Sequence, residues 1–451
     1  MIKDLISFIN KGTPRGVRAR KNIIASVLIK GLSVLISLAL VPLIIRYLDT
    51  TRYGIWITLT YMVSWLGLFD IGLGHGLRNR LAEALAHGDK LLARSYLSTT
   101  YALLMMIITF IYFIFLPLYN FINWGELLNA PVEMQQEVAS LVLIVFTLFC
   151  VQFIVRLIGM VLTADQHPAI NSLINAGGNL LTLLGVLGLL FFSQRSLIRL
   201  GTTYSVLTLI VPLSASILLF RTKYKHLSPA PRFVNFRHTP ALMGIGWKFF
   251  VIQITTIIVF STDQIIITRL FGPKEVTPYH VAFKYFNILV VGFGILTGPY
   301  WSAFTEAWVK KDIQWIKNTT RNLLRIWFSV VLIAVLMLLL STPVYRIWVG
   351  EKVKISFYLS AVMAAFTLIS TWNMIFVNFI NGVSKIRIQL IIAIFAGVIN
   401  IPVSVYLARD LSLGIAGVML GTCLSLLPDI FITPIQYFKI IQGKAKGIWN
   451  R

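Results

Sequence analysis

Charge is scarce in this 451-residue sequence, and acidic charge is scarcest. Charged residues make up 12% of the chain, and 40 Lys and Arg outnumber 16 Asp and Glu. Soluble domains carry about 25% charged residues, so this composition excludes an ordinary water-soluble protein. The longest polar connection, at about residues 221–239, is too short to fold outside a membrane. The chain is therefore predicted to lie in a lipid bilayer along nearly its whole length.

Cysteine and histidine are too few or too scattered to build a site. Cys150 and Cys423 both fall inside apolar runs, so the sequence has no disulfide framework and no Cys-x-x-Cys motif. The six histidines lack the spacing of metal ligands. Basic residues are dispersed among short loops, which argues against binding of nucleic acid. We therefore expect neither a metal site nor a cofactor.

Apolar residues are what the sequence has in excess. They make up 57% of the chain and recur in long runs, each close to the ~20 residues that a helix needs to cross the hydrocarbon core. This pattern predicts an all-α polytopic membrane protein with about twelve transmembrane helices. The runs are residues 22–48, 53–77, 97–122, 138–162, 169–192, 200–220, 246–270, 279–304, 326–345, 359–380, 390–408 and 413–437.

The basic residues are distributed unequally between the two sides of the membrane. If the N-terminus is cytoplasmic, 27 Lys and Arg lie on the inner side and 10 on the outer side. Cytoplasmic loops carry an excess of basic residues, so both termini are predicted to be cytoplasmic. Such a face suits a membrane with anionic headgroups, which makes membrane lipids the first expected partner.

An internal repeat divides the sequence into halves. Adding 223 to a position in the first half reaches a similar residue in the second, as with Glu83 and Glu306 or Asp89 and Asp312. We expect a six-helix lobe at residues 1–220, a cytoplasmic linker at 221–241 and a second lobe at 242–451. Since six is even, both lobes would enter the membrane in the same sense, related by a pseudo-two-fold along its normal. Two such lobes predict a central cavity and alternating access.

Six ionisable residues lie well inside the apolar runs, where each costs roughly 2.5–3.5 kcal/mol at the bilayer centre. Counting residues from the helix ends places three of them in the inner half of the first lobe and two in the outer half of the second. One interpretation is structural, with Lys30–Asp70 and Asp263–Lys284 as ion pairs. The other is a cavity whose excess positive charge receives an anionic group. The six residues are Lys30, Asp70, Arg156, Asp263, Lys284 and Asp429.

Two stretches resemble a known family. They are LFDIGLGHGLRNRLAEALAHGD at residues 68–89 and FSTDQIIITRLFGPKEVTPYHVAFKYF at residues 260–286. Both are similar to the polysaccharide-transporter branch of the multidrug/oligosaccharidyl-lipid/polysaccharide exporter superfamily. The resemblance implies a bacterial inner-membrane flippase that moves undecaprenyl-pyrophosphate-linked oligosaccharides outward for O-antigen, capsule or exopolysaccharide. It also implies a cation-lined cavity, to which Lys30, Asp70, Arg156, Asp263 and Lys284 carry over, and pathway polymerases or ligases as partners.

Two other functions stay open at this point. A cation-coupled drug exporter of the same superfamily needs buried carboxylates for H⁺ or Na⁺, and the nearby cations disfavour that interpretation. A membrane glycosyltransferase or polymerase needs a sizeable outer loop with acidic residues. The longest outer loop, at about residues 123–137, offers only Glu126, Glu133 and Glu137. We therefore expect a transporter and no enzyme, with the coupling ion undecided between H⁺ and Na⁺.

Overall fold

The computed structural model describes residues 14–70, 72–243 and 246–450, and these residues form helices, turns and loops without a β-strand. The predicted all-α fold is confirmed. The main helices are α1 (Pro14–Leu48), α2 (Thr50–Ser64), α3 (Leu73–Ala86), α4 (Lys90–Phe121), α5 (Gln135–Val155), α6 (Leu157–Ala164), α7 (Pro168–Phe192), α8 (Leu197–Arg221), α9 (Gly246–Ser261), α10 (Asp263–Phe271), α11 (Val276–Thr297), α12 (Tyr300–Val309), α13 (Ile313–Leu339), α14 (Ser341–Val349), α15 (Phe357–Gly382), α16 (Arg387–Val405), α17 (Gly414–Ser425) and α18 (Leu427–Ile441).

Among the described residues, ten helical segments are long and apolar enough to cross a membrane. The other two predicted spans, 53–77 and 246–270, are each interrupted. In the first, α2 ends at Ser64 and a 3₁₀ turn, Trp65–Asp70, precedes α3. In the second, the chain bends at Thr262 between α9 and α10. Hydropathy therefore located both segments but could not detect the breaks inside them.

The chain divides into two compact units by its backbone contacts. Unit 1 comprises Met1–Leu48 and Leu66–Phe250, and unit 2 comprises Asp49–Trp65 and Val251–Arg451. The short helix α2 thus packs with the second half of the chain, where it contacts α10, α11 and the turn Pro273–Glu275. The lobe boundaries at 220 and 242 stay a prediction.

Each unit has its own hydrophobic core, and the two cores differ in composition. In unit 1 the core is aliphatic, with Leu81 and Leu97 fully buried. In unit 2 it is aromatic: the Phe379 ring lies 5.6 Å from the ring of Phe304 and 5.0 Å from that of Tyr437, measured between centroids. Edge-on aromatic contacts of this kind add about 0.5–1.5 kcal/mol each to the burial of the rings.

The repeat appears in the structure as two matching turns. After α3, the Asp89 N–H donates to Ala84 O at 3.0 Å; after α12, the Asp312 N–H donates to Ala307 O at 2.9 Å. Each aspartate then caps the next long helix, since its Oδ1 accepts the backbone N–H three residues later at 2.9 Å. The residue before each aspartate has positive φ, 74° and 57°. The offset of 223 therefore relates positions with the same backbone role.

The predicted linker packs closely against unit 1. Arg94 of α4 donates from Nε to Ser228 O at 2.8 Å, and its guanidinium lies 4.1 Å from the centre of the Phe233 ring. One residue later, Ser95 Oγ donates to Phe233 O at 3.0 Å. These contacts explain why the linker residues group with unit 1 although their composition is typical of a free connection.

The two matched caps give a test of the repeat. Replacing Asp89 or Asp312 with alanine removes the acceptor for one N–H at the start of a long helix, and each change should destabilise its unit by about 1 kcal/mol. In purified protein this corresponds to a fall of about 2–4 °C in the unfolding midpoint. The exposed Glu133→Ala, which caps no long helix, is the control. If only one of the two aspartate variants lost stability, the two aspartates would not have the same capping role.

Candidate functional site

Four of the six intramembrane ionisable residues lie at helix interruptions. Asp70 ends the 3₁₀ turn before α3, and Arg156 is the single residue between α5 and α6. Asp263 is the first residue of α10, and Asp429 lies in the first turn of α18. A helix start presents free N–H groups that favour an acid, and a helix end presents carbonyls that favour a cation. The three acids precede or begin a helix, where their sign suits the free N–H groups, whereas Arg156 both ends α5 and precedes α6.

Asp70 is held by the backbone of the next helix. The Gly74 N–H lies 3.0 Å from Oδ1 and 3.2 Å from Oδ2 of the half-buried carboxylate. A Cβ at Gly74 would lie 3.2 Å from the same carboxylate, so any larger residue at this position would crowd Asp70. Asp70 makes further interactions as well. In the described part of unit 1, however, it forms no ion pair with Lys30, so the predicted pair is absent in this conformation.

The two cations of unit 1 have exposed side chains. Lys30 projects from α1, and Arg156 projects from the break between α5 and α6 near Tyr204 of α8. At that break the Gly159 N–H donates to Arg156 O at 3.0 Å, a tight turn in place of the α-helical bond. One turn earlier, Gln152 Nε2 donates to Thr208 O at 3.2 Å and fixes α5 against α8. The backbone that carries Arg156 is therefore fixed by hydrogen bonds on both sides of the residue.

Asp263 is the centre of a buried polar cluster in unit 2. Its carboxylate is 2% exposed and accepts a short hydrogen bond from the Tyr279 hydroxyl of α11. The Thr422 hydroxyl of α17 lies 3.3 Å from Oδ1 and 3.4 Å from Oδ2, and Asn400 Nδ2 of α16 donates to Thr422 Oγ1 at 3.0 Å. Four helices thus contribute to the cluster. We name it the Asp263 cluster and define it as Asp263, Tyr279, Asn400 and Thr422.

Lys284 lies outside the Asp263 cluster. It lies one turn beyond His280 on α11, and the His280 Nδ1 lies 2.8 Å from the Tyr53 hydroxyl of α2. Lys284 has interactions of its own, but among the described residues of unit 2 it forms no ion pair with Asp263. The predicted Asp263–Lys284 pair is therefore absent in this conformation, because Tyr279 and Thr422 occupy the carboxylate instead.

The sequence did not single out the partners of Asp263. Tyr279 lies inside the resembling stretch 260–286, and its separation of 16 residues from Asp263 was a usable signal for two helices joined by a short turn. Asn400 and Thr422 are more than a hundred residues away, and polar residues in apolar runs are common at helix contacts. In the described residues, no group of three or more His, Cys, Asp or Glu could hold a metal ion.

Comparison with known proteins adds three findings. A family model described as polysaccharide biosynthesis protein matches residues 19–305. A putative O-antigen transporter of Salmonella typhi is 22% identical over 407 residues, which is 89% of this chain and 92% of that protein. Another putative O-antigen transporter, from Salmonella typhimurium, is 23% identical over 409 residues, 88% of this chain and 90% of that protein.

A solved structure shares the fold. The inward-facing structure of a multidrug resistance MATE family transporter of the MOP superfamily matches with a TM-score of 0.70 at 13% identity. The match covers 93% of this chain and 96% of that one. At this identity the likeness establishes the fold and leaves the substrate open.

The Asp263 cluster predicts a measurable coupling between two side chains. Tyr279→Phe removes a donor from a buried carboxylate and should destabilise the protein by about 1–3 kcal/mol. Asp263→Asn should weaken the same hydrogen bond, so the double variant should lose less than the sum of the single losses, by at least about 0.5 kcal/mol. Thermal unfolding of purified wild-type protein, the two single variants and the double variant measures this coupling. Tyr406→Phe, at an exposed tyrosine, is the control, and strictly additive losses would contradict the pairing.

Proposed function

Because the chain belongs to the family of polysaccharide biosynthesis proteins, we propose that it transports a polysaccharide precursor across the bacterial inner membrane. The named function of the two Salmonella relatives supports a transporter of the O-antigen type. The cargo we propose is an undecaprenyl-pyrophosphate-linked oligosaccharide, moved from the inner to the outer leaflet. Its destination is O-antigen, capsule or exopolysaccharide. In this role the protein is a flippase and not an enzyme.

The exposure of Lys30 and Arg156 is the observation that carries the proposal. Both are cations inside apolar runs of unit 1, and a charged residue there normally faces a wet cavity or pairs with an opposite charge. Asp70, the acid predicted in the same inner half of the membrane, accepts a hydrogen bond from the Gly74 N–H. We infer that it offsets the positive charge of Lys30 and Arg156 only in part. A pyrophosphate is an anion that Arg and Lys bind well in a low-dielectric site.

We propose distinct roles for the five carried-over residues. Lys30 and Arg156 contact the pyrophosphate. Asp70 lowers the net positive charge around them, so that the pyrophosphate can be released. In unit 2, Asp263 takes up the coupling ion, either H⁺ or Na⁺, because a carboxylate surrounded by hydroxyl and amide groups can accept either. Lys284 carries a third positive charge on the transport path. Alternating access by rocking of the two lobes is the proposed motion, and the enzymes that polymerise or ligate the glycan are the proposed partners.

A cation-coupled exporter of small molecules is the second candidate. One observation favours it: no basic side chain pairs with Asp263 among the described residues of unit 2, so no fixed positive charge competes with a coupling ion for its carboxylate. The sequence alone had suggested the opposite. Efflux of a cationic dye from cells that express the chain separates the candidates, since a lipid-glycan flippase has no reason to expel such a dye.

Loss of the two cations should abolish transport without unfolding the protein. In a strain that lacks the gene, Lys30→Ala and Arg156→Ala should each reduce surface polysaccharide by more than about tenfold, because each removes a charged contact to the anion. Arg156→Lys should keep part of the activity if charge alone suffices and none if the fork of the guanidinium is needed.

Arg195→Ala is the matched control, since Arg195 is an exposed cation in the connection between α7 and α8. Protein level in the membrane is measured in parallel. Full polysaccharide display from the Lys30→Ala, Arg156→Ala double variant would refute the cationic mechanism.

The proposed location in the inner membrane with both termini cytoplasmic has its own test. A reporter fused at Gln194, between α7 and α8, should report the outer side. One fused at Lys310, between α12 and α13, should report the cytoplasm. The unequal distribution of basic residues between the two sides is the reason for both assignments. The same side for both fusions would contradict the topology.

A further inference from the structure

Unit 2 contains a cavity of about 440 Å³ that the cationic mechanism does not use. Its walls come from α9, α11, α15 and α16 and from the junction between α17 and α18. The size is within the range of small-molecule sites. No Lys or Arg is among the described residues that line it, so it has no attraction for a phosphate.

One wall of the cavity is aromatic. The rings of Phe260 and Phe283 lie 5.9 and 6.0 Å from the ring of Phe366, measured between centroids. Aliphatic side chains such as Val259 and Ile392 extend this apolar surface. An apolar wall that contains aromatic rings suits a ligand that presents a C–H face.

The polar part of the cavity lining consists of side chains with atoms that lack a hydrogen-bond partner. Asn373 is 8% exposed, yet its Oδ1 has no hydrogen-bond partner, and the same holds for Ser370 Oγ and Gln389 Oε1 in the described part of the chain. Ser370 and Asn373 are three residues apart on α15 and so share a face, while Gln389 belongs to α16. Most buried polar groups in proteins are paired, so three unpaired acceptors around one cavity require an explanation.

Asp429 is the charged residue of the lining, and it lies at the break before α18. Its Oδ1 already accepts a short hydrogen bond from the Thr433 hydroxyl. The carboxylate therefore has a remaining oxygen that can accept from a ligand. Together with the three unpaired acceptors, it calls for a ligand that donates several hydrogen bonds from different sides.

We propose that this cavity binds a sugar ring of the transported glycan. A pyranose has an apolar C–H face for the Phe wall and several hydroxyl donors for Asn373, Ser370, Gln389 and Asp429. A compact organic cation satisfies the carboxylate but leaves the neutral acceptors unmet, so the sugar accounts for more of the lining. The proposal rests on the proposed function and makes unit 2 the part that recognises sugar, separate from the cations of unit 1.

The test compares two lipids on purified full-length protein in lipid nanodiscs. One is the lipid-linked oligosaccharide extracted from the parent strain, and the other is undecaprenyl pyrophosphate without sugar. Wild-type protein should bind the glycan-bearing lipid more tightly. Asn373→Leu and Gln389→Leu should each reduce that preference by about 2–10-fold, the effect of one hydrogen bond, and leave binding of the sugar-free lipid unchanged.

Thermal stability is a second measurement, and we expect it to stay equal or rise in the same variants that lose sugar preference. Replacing an unpaired buried acceptor by an apolar group of similar size should hold the unfolding midpoint of the ligand-free protein or raise it by about 2 °C. Asn378→Leu on the same helix is the control, because Asn378 lies outside the lining and donates to Met374 O at 2.8 Å. Weaker sugar preference in a protein of equal or higher stability supports a binding role.

Three outcomes would overturn the cavity proposal. The first is equal binding of both lipids by wild-type protein. The second is an unchanged sugar preference in both leucine variants, and the third is binding of tetraphenylphosphonium that Asn373→Leu abolishes. Failure of the proposed function has a different signature: wild-type protein would then bind neither lipid, and Lys30→Ala would leave surface polysaccharide intact.

Discussion

The structure depends on one constraint: inside a bilayer, every backbone polar group and every charge must find its partner within the protein or in a wet cavity. A helix break in the membrane frees N–H and C=O groups, and a charged side chain there has no bulk water. At Asp70 and Asp263 the two problems occur together and solve each other. Gly74 N–H donates to Asp70, and Asp263 begins a helix whose free N–H groups favour an acid.

Magnitudes show why this arrangement is stable. A carboxylate near the bilayer centre costs roughly 2.5–3.5 kcal/mol. A hydrogen bond to a charged group returns about 1.5–3 kcal/mol, and a helix start adds up to ~2 kcal/mol in a partly buried site. The cost of burying Asp263 is therefore offset by its Tyr279 and Thr422 donors, with no basic partner among the described residues. Lys30 and Arg156, whose side chains are exposed, have no equivalent compensation among the described contacts.

The sequence predicted those features that follow from averages over many residues. Twelve apolar runs and the offset of 223 needed only hydropathy and alignment of the chain with itself, and the turns at Asp89 and Asp312 confirm the repeat. The breaks were missed because a 3₁₀ turn at Trp65–Asp70 is as apolar as the helix around it. The Asp263–Lys284 pair was inferred from matching depth on two helices joined by a short turn, and these criteria cannot tell which of several donors at the same depth reaches the carboxylate. The acceptors at Asn373 and Gln389 gave no signal, since only packing shows that they lack partners.

The repeat preserves backbone roles and the charges of the turns, as at Asp89 and Asp312, but not the charges inside the apolar runs. The position that matches Asp70 in the second half is Phe293, which is 2% exposed in the core of unit 2. The position that matches Asp263 in the first half is Leu40, which is also buried. The fold therefore does not require a charged residue at the position of Asp70 or at that of Asp263. The intramembrane charges are then features of each unit separately: exposed cations in unit 1, and in unit 2 the buried Asp263 and a cavity lined by acceptors that include the Asp429 carboxylate.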